Sequence, residues 1–131
     1  MKRFRHAVEA GDVDAAIASL AEDVVFRSPV VFREYQGREV VGTILRAVFG
    51  VFKDFRYDAE LHGDGQTALV FRAKVGEKDL HGIDLGEVNA AGEVTRLTVF
   101  VRPFSAATAL KDAMQAALGG LVPPAAGGGG G

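Results

Sequence analysis

KDLHGIDLGEVNAAGEVTRLTVFVRP, residues Lys78–Pro103, is the stretch that decides the fold of this chain. Apolar and polar residues alternate on both sides of a short Asn-Ala-Ala-Gly turn, which is typical of a β-hairpin with one buried face. A single acidic residue, Asp84, stands among small and apolar neighbours in the first of the two strands. The stretch therefore predicts a sheet that carries one carboxyl on one of its faces.

Along the whole chain, helical segments come first, strand segments follow, and one more helical segment comes after the strands. Apolar residues at helical spacing predict helices at Lys2–Ala10, from an Asp12 cap to Leu20, at Arg38–Phe52 and at Ala106–Leu118. Alternation between turn signals predicts strands at Phe55–Leu61, Thr67–Val75, Leu80–Val88 and Val94–Val101, with a short apolar run at Val24–Phe26. Because no helix separates the four strands, we expect an α+β fold with an antiparallel, meandering sheet.

Two of the predicted helices have apolar stripes that define their buried sides. The stripe of the third helix consists of Val40, Val41, Ile44, Leu45, Val48 and Phe52. In the last helix, Leu110, Met114 and Leu118 recur at helical spacing, and we expect this helix to pack back on the sheet.

The composition is that of one globular domain. With 131 residues, 48% of them hydrophobic and 24% charged, the chain has enough apolar side chains for one core and is too short for two ordinary domains. We expect a single domain over residues 1–118. The Gly- and Pro-rich residues 119–131 are expected to form a flexible tail.

Charge and cysteine content exclude several classes of protein. Fifteen Lys and Arg against 17 Asp and Glu leave a net charge of -2, so nucleic acid is not an expected partner. The absence of cysteine excludes disulfides and thiolate chemistry. The first residues, MKRFRHAVEAGD, contain no apolar run typical of a signal peptide or of membrane insertion, and a cytoplasmic location is therefore expected.

The two faces of the predicted strands differ in character. One face carries the apolar residues Leu69, Phe71, Ala73, Leu97, Val99 and Val101, which are candidates for lining a pocket. The opposite face carries Ala68, Val70, Arg72, Lys74, Arg96, Thr98, Phe100 and Arg102. This mixture of apolar and basic side chains suits a protein interface better than a core.

Several segments together resemble a known superfamily. They are AGDVDAAIASLAEDVVFRSP at residues 10–29, a glycine that opens a helix, GID at residues 82–84 and AAGEVTRLTVFVRP at residues 90–103. Over about Lys2 to Pro103 the chain resembles the SnoaL-like and ketosteroid-isomerase-like members of the nuclear transport factor 2-like superfamily. The resemblance implies a curved antiparallel sheet wrapped around helices into a cone with an apolar cavity. It also implies a homodimer through the outer sheet face.

The resemblance implies an incomplete catalytic set. Ser28 stands before Pro29 where the steroid isomerases have their catalytic aspartate, and Phe4 and Leu45 stand where they have tyrosines. Only their second aspartate, which is kept protonated in an apolar wall, has a counterpart here, at Asp84. The implied orientation turns Leu80, Gly82, Asp84 and Gly86 inward and His81, Ile83 and Leu85 outward.

Asp84 is the candidate catalytic residue, and its environment has two interpretations. In an apolar pocket its pKa would rise and it could donate a hydrogen bond to a ligand oxygen. Alternatively it pairs with an arginine or meets water at the mouth of a cavity. Gly82 and Gly86 either leave room beside the carboxyl or bend the strand.

Three functions remain open. The first is a pocket protein for a small hydrophobic molecule, whose ligand-binding residues are Phe4, Val8, Phe26, Leu69, Phe71, Leu97, Val99 and Val101. The second is an isomerase, cyclase or hydratase acting on a polyketide- or steroid-like substrate, with Asp84 as acid or oxyanion stabiliser and His6 or water as base. The third is a dimeric interaction module without a ligand.

Other polar residues give weaker signals. His6, His62 and His81 lack the spacing of paired metal ligands, and the glycine-containing turns lack the strand-to-helix setting of a phosphate loop. We therefore expect neither a metal nor a cofactor. Ser28 lies in no nucleophile motif and is expected to open a turn. Tyr35 and Tyr57 are either cavity-edge hydroxyls or structural tyrosines.

Overall fold

The helices and strands follow the predicted order. The computed structural model describes residues 1–119, and in them the helices are α1 (Lys2–Glu9), α2 (Val13–Ala18), α3 (Arg38–Val51) and α4 (Phe104–Leu118). The strands in the same range are β1 (Leu20–Arg27), β2 (Glu34–Gln36), β3 (Lys53–Gly63), β4 (Gln66–Val75), β5 (Lys78–Val88) and β6 (Val94–Arg102). The expected tail, apart from Gly119, lies outside the described residues.

The helical hairpin at the start is set by two local signals. Gly11 has a φ of 69°, a left-handed conformation that glycine adopts without strain, and it separates α1 from α2. Asp12 caps α2 as predicted, since its Oδ1 accepts the Ala15 N–H at 3.0 Å. The prediction that α2 reaches Leu20 is wrong. The Ser19 carbonyl accepts the Val94 N–H at 2.9 Å, and the chain enters the sheet at Leu20.

The sheet has six strands in the order β2-β1-β6-β5-β4-β3. Strands β3 to β6 form the predicted antiparallel meander, in which Asp84 of β5 lies between Leu69 of β4 and Val99 of β6. Strand β1 runs parallel to β6, and β2 pairs antiparallel with β1. Sequence reasoning located only the apolar centre of β1 and missed β2.

Apolar side chains from the inner sheet face and from the helices packed on it form two adjoining clusters. The α1–α3 cluster consists of Phe4, Ala7, Ala16, Leu20, Val24, Phe26, Val41, Ile44, Leu45, Leu69, Val94 and Leu97. The α4 cluster consists of Phe71, Val75, Leu80, Ala106 and Leu110, so the last helix packs back on the sheet as predicted. Tyr57, Val99 and Met114 pack against both clusters. Val40 is 37% exposed and does not belong to the buried stripe of α3, contrary to prediction.

The outer sheet face carries an apolar row across three strands. Ile83 is the cross-strand partner of both Val70 and Phe100, and Ile83 and Phe100 are 36% and 52% exposed. In the next row toward the strand ends, His81 lies between Arg72 and Arg102. This face therefore combines exposed apolar and basic groups, as the strand pattern predicts. No helix among residues 1–119 has the length and apolarity needed to cross a membrane.

Candidate functional site

Asp84 lies on the inner face of the sheet, near the centre of β5. Because alternate residues of a strand share a face, Leu80, Gly82 and Gly86 are buried with it. Its cross-strand neighbours Leu69 and Val99 are both apolar, and Asp84 itself is only 7% exposed. The carboxyl is therefore held in a largely apolar environment.

The partner of Asp84 is Tyr57. The Tyr57 hydroxyl donates a hydrogen bond to Asp84 Oδ2 at 3.0 Å. Tyr57 comes from β3, where it pairs with Phe71 of β4, and Phe71 in turn pairs with Gly82 of β5. The Tyr57 side chain thus comes from a strand two positions away in the sheet. It belongs to the cross-strand row of Gly82, which is next to the row of Asp84. The sequence interpretations in which Asp84 pairs with an arginine or meets water differ from this arrangement.

Burial sets the ionisation of the pair. Loss of water raises the pKa of Asp84 from 3.8 to about 7, and the hydrogen bond from Tyr57 acts in the opposite direction. The pKa of Tyr57 is raised above its ordinary value, first by burial and then by the charge and hydrogen bond of Asp84. Near neutral pH, Asp84 therefore exists as both carboxylic acid and carboxylate, while Tyr57 keeps its proton.

The two glycines beside Asp84 make room for other side chains. A Cβ at Gly82 would collide with the Phe71 ring and would lie 2.6 Å from the Phe100 carbonyl oxygen. A Cβ at Gly86 would collide with the side chain of Met1. Gly82 therefore requires glycine, because the Phe100 carbonyl oxygen belongs to the backbone, whereas at Gly86 the flexible side chain of Met1 can turn aside. The space that the two glycines leave is taken by Phe71 on one side of Asp84 and by Met1 on the other.

The eight predicted ligand-binding residues lie on the inner side of the fold. Those in or packed against the α1–α3 cluster are Phe4, Val8, Phe26, Leu69, Leu97 and Val99. Phe71 belongs to the α4 cluster, Val101 packs against it, and Val99 contacts both clusters. The structure thus brings them into two adjoining groups on either side of the Asp84–Tyr57 pair. Their contact with a ligand stays a prediction.

Ser28 and the two residues that stand in place of the isomerase tyrosines provide no catalytic network with Asp84. The Val30 N–H donates to Ser28 Oγ at 3.1 Å, which is the predicted turn-opening role. Phe4 and Leu45 are buried core residues without hydroxyls.

The histidines lie apart from Asp84. His6 is exposed on α1, His62 bonds Glu60 and Thr67, and His81 lies 3.4 Å from Arg102 Nη1 on the outer face. Within residues 1–119, no three His, Asp or Glu side chains are grouped as metal ligands would be.

Comparison with known proteins gives one family model and many solved structures. The model for the SnoaL-like domain matches residues 1–102. A search of curated proteins gives no match.

Three of the matching solved structures are similar to this chain over most of their length. A bacterial protein with a cystatin-like fold from Silicibacter pomeroyi is 38% identical, with a TM-score of 0.82 and coverage of 88% of this chain and 82% of the other. A steroid delta-isomerase from Pseudomonas aeruginosa is 34% identical, with a TM-score of 0.83 and coverage of 89% and 87%. An NTF2-like protein from Cytophaga hutchinsonii, 21% identical with a TM-score of 0.60 and coverage of 77% and 85%, shares the fold.

Proposed function

Because the chain belongs to the SnoaL-like domain family, we propose that it binds a small hydrophobic molecule and that Asp84, oriented by Tyr57, holds an oxygen atom of that molecule. The observation that supports this function is the buried carboxyl with a tyrosine hydroxyl 3.0 Å away, set among apolar side chains. Binding sites for small molecules are commonly apolar, with a few polar groups that fix the orientation of the ligand.

The protonation state of Asp84 decides which ligand oxygen fits. Tyr57 has one hydroxyl proton, and it is directed at Asp84 Oδ2. When Asp84 is protonated, its own O–H is the donor for a ligand, so the pair favours an acceptor such as a carbonyl or ether oxygen. When Asp84 is ionised it only accepts, and an apolar ligand with an acceptor oxygen is then repelled. The ligand we expect is therefore an apolar molecule with a carbonyl-type oxygen.

The ligand reaches the pair between the two clusters. Tyr57, Val99 and Met114, which contact both clusters, are half-buried, as is Met1 beside Gly86. In this proposal, rotation of the unbranched side chains of Met1 and Met114 opens the space beside Asp84, since methionine adapts readily to a new shape.

A second candidate function is an isomerase, cyclase or hydratase acting on a steroid- or polyketide-like substrate. The similarity to the steroid delta-isomerase from Pseudomonas aeruginosa favours it, as does a carboxyl whose pKa near 7 suits proton transfer at neutral pH. The weak point is the base. Ser28 replaces the aspartate that the resemblance calls for, and His6, the other candidate base, is exposed on α1.

The outer sheet face is proposed as a homodimer interface. The row formed by Val70, Ile83 and Phe100 supplies an apolar centre, and Arg72 and Arg102 lie beside it. An interface with an apolar core and a charged rim has this composition.

If the inner face stays closed by Phe71 and Met1, the chain would instead be the interaction module without a ligand. Sedimentation at micromolar concentration that shows only monomer would contradict the interface.

Native mass spectrometry of the purified protein tests for a retained ligand, and a matched pair of probes tests recognition of the oxygen. We expect 2-acetylnaphthalene, which has a ketone, to bind about 5 to 30 times more tightly than 2-isopropylnaphthalene, since a buried hydrogen bond contributes about 1 to 2 kcal/mol. Asp84→Asn keeps this preference because an amide also donates, whereas Asp84→Leu abolishes it. If neither probe binds and no compound is retained, the proposed function is wrong.

The same Asp84→Asn variant separates binding from catalysis. An amide can donate a hydrogen bond but cannot transfer a proton at neutral pH. If the chain is an enzyme that moves a proton through Asp84, the variant loses turnover of a β,γ-unsaturated ketone while ligand affinity is kept. A variant that keeps turnover would remove Asp84 from the chemistry.

A further inference from the structure

We propose that Arg5 of α1 is a positioning residue, which holds the Tyr57 ring in the orientation where its hydroxyl reaches Asp84. The guanidinium carbon of Arg5 lies 5.4 Å from the centroid of the Tyr57 ring, and the hydroxyl is 3.0 Å from Asp84 Oδ2. Arg5 acts through Tyr57. The inference rests on the proposed function, because Tyr57 must occupy one oxygen of Asp84 for the other to face a ligand.

Three contacts fix the guanidinium of Arg5. Its Nη1 donates to Glu60 Oε1 at 2.8 Å, its Nε donates to Glu9 Oε2 at 3.2 Å, and its Cζ atom lies over the Tyr57 ring. A planar guanidinium can stack on an aromatic ring while its edges bond carboxylates. With its side chain only 30% exposed, Arg5 has a restricted set of orientations. A fixed Arg5 in turn limits how far the ring of Tyr57 can rotate away from the sheet.

A β-bulge in β3 makes this arrangement possible. The register with β4 shifts between Tyr57 and Ala59, so Asp58 is an extra residue in the strand. In a regular strand, residues three apart point to opposite faces. The bulge brings Tyr57 and Glu60 to the same face, and Arg5 contacts both. The irregularity therefore serves to place a ring and its anchoring carboxylate side by side.

The anchoring carboxylate is itself held by the sheet. The second oxygen of Glu60 lies 2.7 Å from His62 Nε2, and His62 Nδ1 lies 3.1 Å from the hydroxyl of Thr67. Thr67 is a buried residue of β4. Arg5 of α1 is thus connected through Glu60 and His62 to Thr67 in the sheet. These contacts hold the Arg5 guanidinium in place beside the Tyr57 ring.

The test is a pH titration of the Asp84 carboxyl by ¹³C NMR in the ligand-free protein. It compares the wild type with Arg5→Gln, Tyr57→Phe and the double variant. Because the hydrogen bond from Tyr57 lowers the pKa of Asp84, both single variants should raise the midpoint of the titration. In the Tyr57→Phe background, Arg5→Gln should add no further rise, since Arg5 acts through the lost hydroxyl.

Two outcomes would overturn the proposal. One is an unchanged midpoint in Arg5→Gln, and the other is an equal rise with and without the Tyr57 hydroxyl, which would mean a direct effect of charge. Glu60→Gln removes the carboxylate that bonds Arg5 without changing the size of the side chain, and it should also raise the midpoint of the Asp84 titration. This variant replaces Arg5→Gln in the test if Arg5→Gln does not fold.

The matched control is Arg46→Gln. It removes an exposed ion pair of 2.6 Å to Asp14 and should leave the midpoint unchanged. The titration uses no ligand, so its result is independent of whether the naphthalene probes bind. Failure of the proposed function and failure of this inference are therefore distinguishable.

Discussion

Replacement of Asp84 by asparagine should change how stability depends on pH. The unfolded chain loses the Asp84 proton near the ordinary pKa of 3.8, whereas the folded chain loses it only near about 7. Between these values the unfolded state is the first to ionise, so rising pH favours unfolding. The pKa difference between 3.8 and about 7, at about 1.4 kcal/mol for each pKa unit, corresponds to about 4 kcal/mol. An asparagine side chain cannot ionise, so the Asp84→Asn variant does not lose this free energy.

The assay is urea denaturation of the wild type and Asp84→Asn from pH 4 to pH 8.5. We expect the variant to gain stability relative to the wild type as pH rises, by an amount on the order of 4 kcal/mol over this range. Asp23→Asn is the matched control, because Asp23 is an exposed aspartate of β1. Its difference from the wild type should change little with pH. A stability difference for Asp84→Asn that is equally independent of pH would contradict this prediction, since it would mean that the buried carboxyl ionises as it does in water.

Three further predictions concern packing, capping and association. Gly82→Ala should lower the free energy of unfolding by about 1 to 3 kcal/mol, because a Cβ there meets the Phe71 ring and a backbone oxygen. Gly50→Ala should instead raise the free energy of unfolding by about 0.5 to 1 kcal/mol, because Gly50 lies in α3 and a Cβ there has no neighbour within 4 Å. Urea denaturation measures both, and a neutral Gly82→Ala would contradict the packing. Asp12→Ala should cost about 1 kcal/mol through loss of the α2 cap, seen as a lower Tm; an unchanged Tm would argue against the cap. Phe100→Glu should convert the proposed dimer into a monomer in sedimentation, and a dimer that persists would place the interface elsewhere.

The hairpin was predictable because it depends on short-range pattern, whereas the inward orientation of Asp84 was implied only by the family resemblance. Alternation along Lys78–Val88 places Asp84 on the same face as Leu80 and Gly82, whatever the rest of the chain does. The ends of the helices were predictable where a local signal exists, as at Asp12. Such signals act within a few residues of chain and survive in the tertiary fold.

Long-range pairing was less predictable. The parallel contact of β1 with β6 joins Phe26 to Leu97, and β2 exists only because Tyr35 pairs back on Phe26. No periodicity within three residues such as Glu34–Gln36 distinguishes a strand from a loop. The end of α2 also depends on a long-range contact. The helix predicted to reach Leu20 stops earlier because the Ser19 carbonyl accepts a hydrogen bond from Val94 of β6 and the chain enters the sheet.

The partner of Asp84 was hidden in the sequence. Tyr57 is 27 residues away and two strands distant, and the bulge at Asp58 sets which residues of β3 face α1. The sequence is compatible with a Tyr57 hydroxyl at the edge of a cavity, but residue spacing gives no reason to pair Tyr57 with Asp84.

The most direct measurement is a ¹³C NMR titration of the Asp84 carboxyl, first in the free protein and then with 2-acetylnaphthalene bound. We expect a midpoint of about 7 in the free protein and a higher one with the ketone, because only the protonated acid donates to its oxygen. A midpoint close to 3.8 that the ketone leaves unchanged would contradict this expectation.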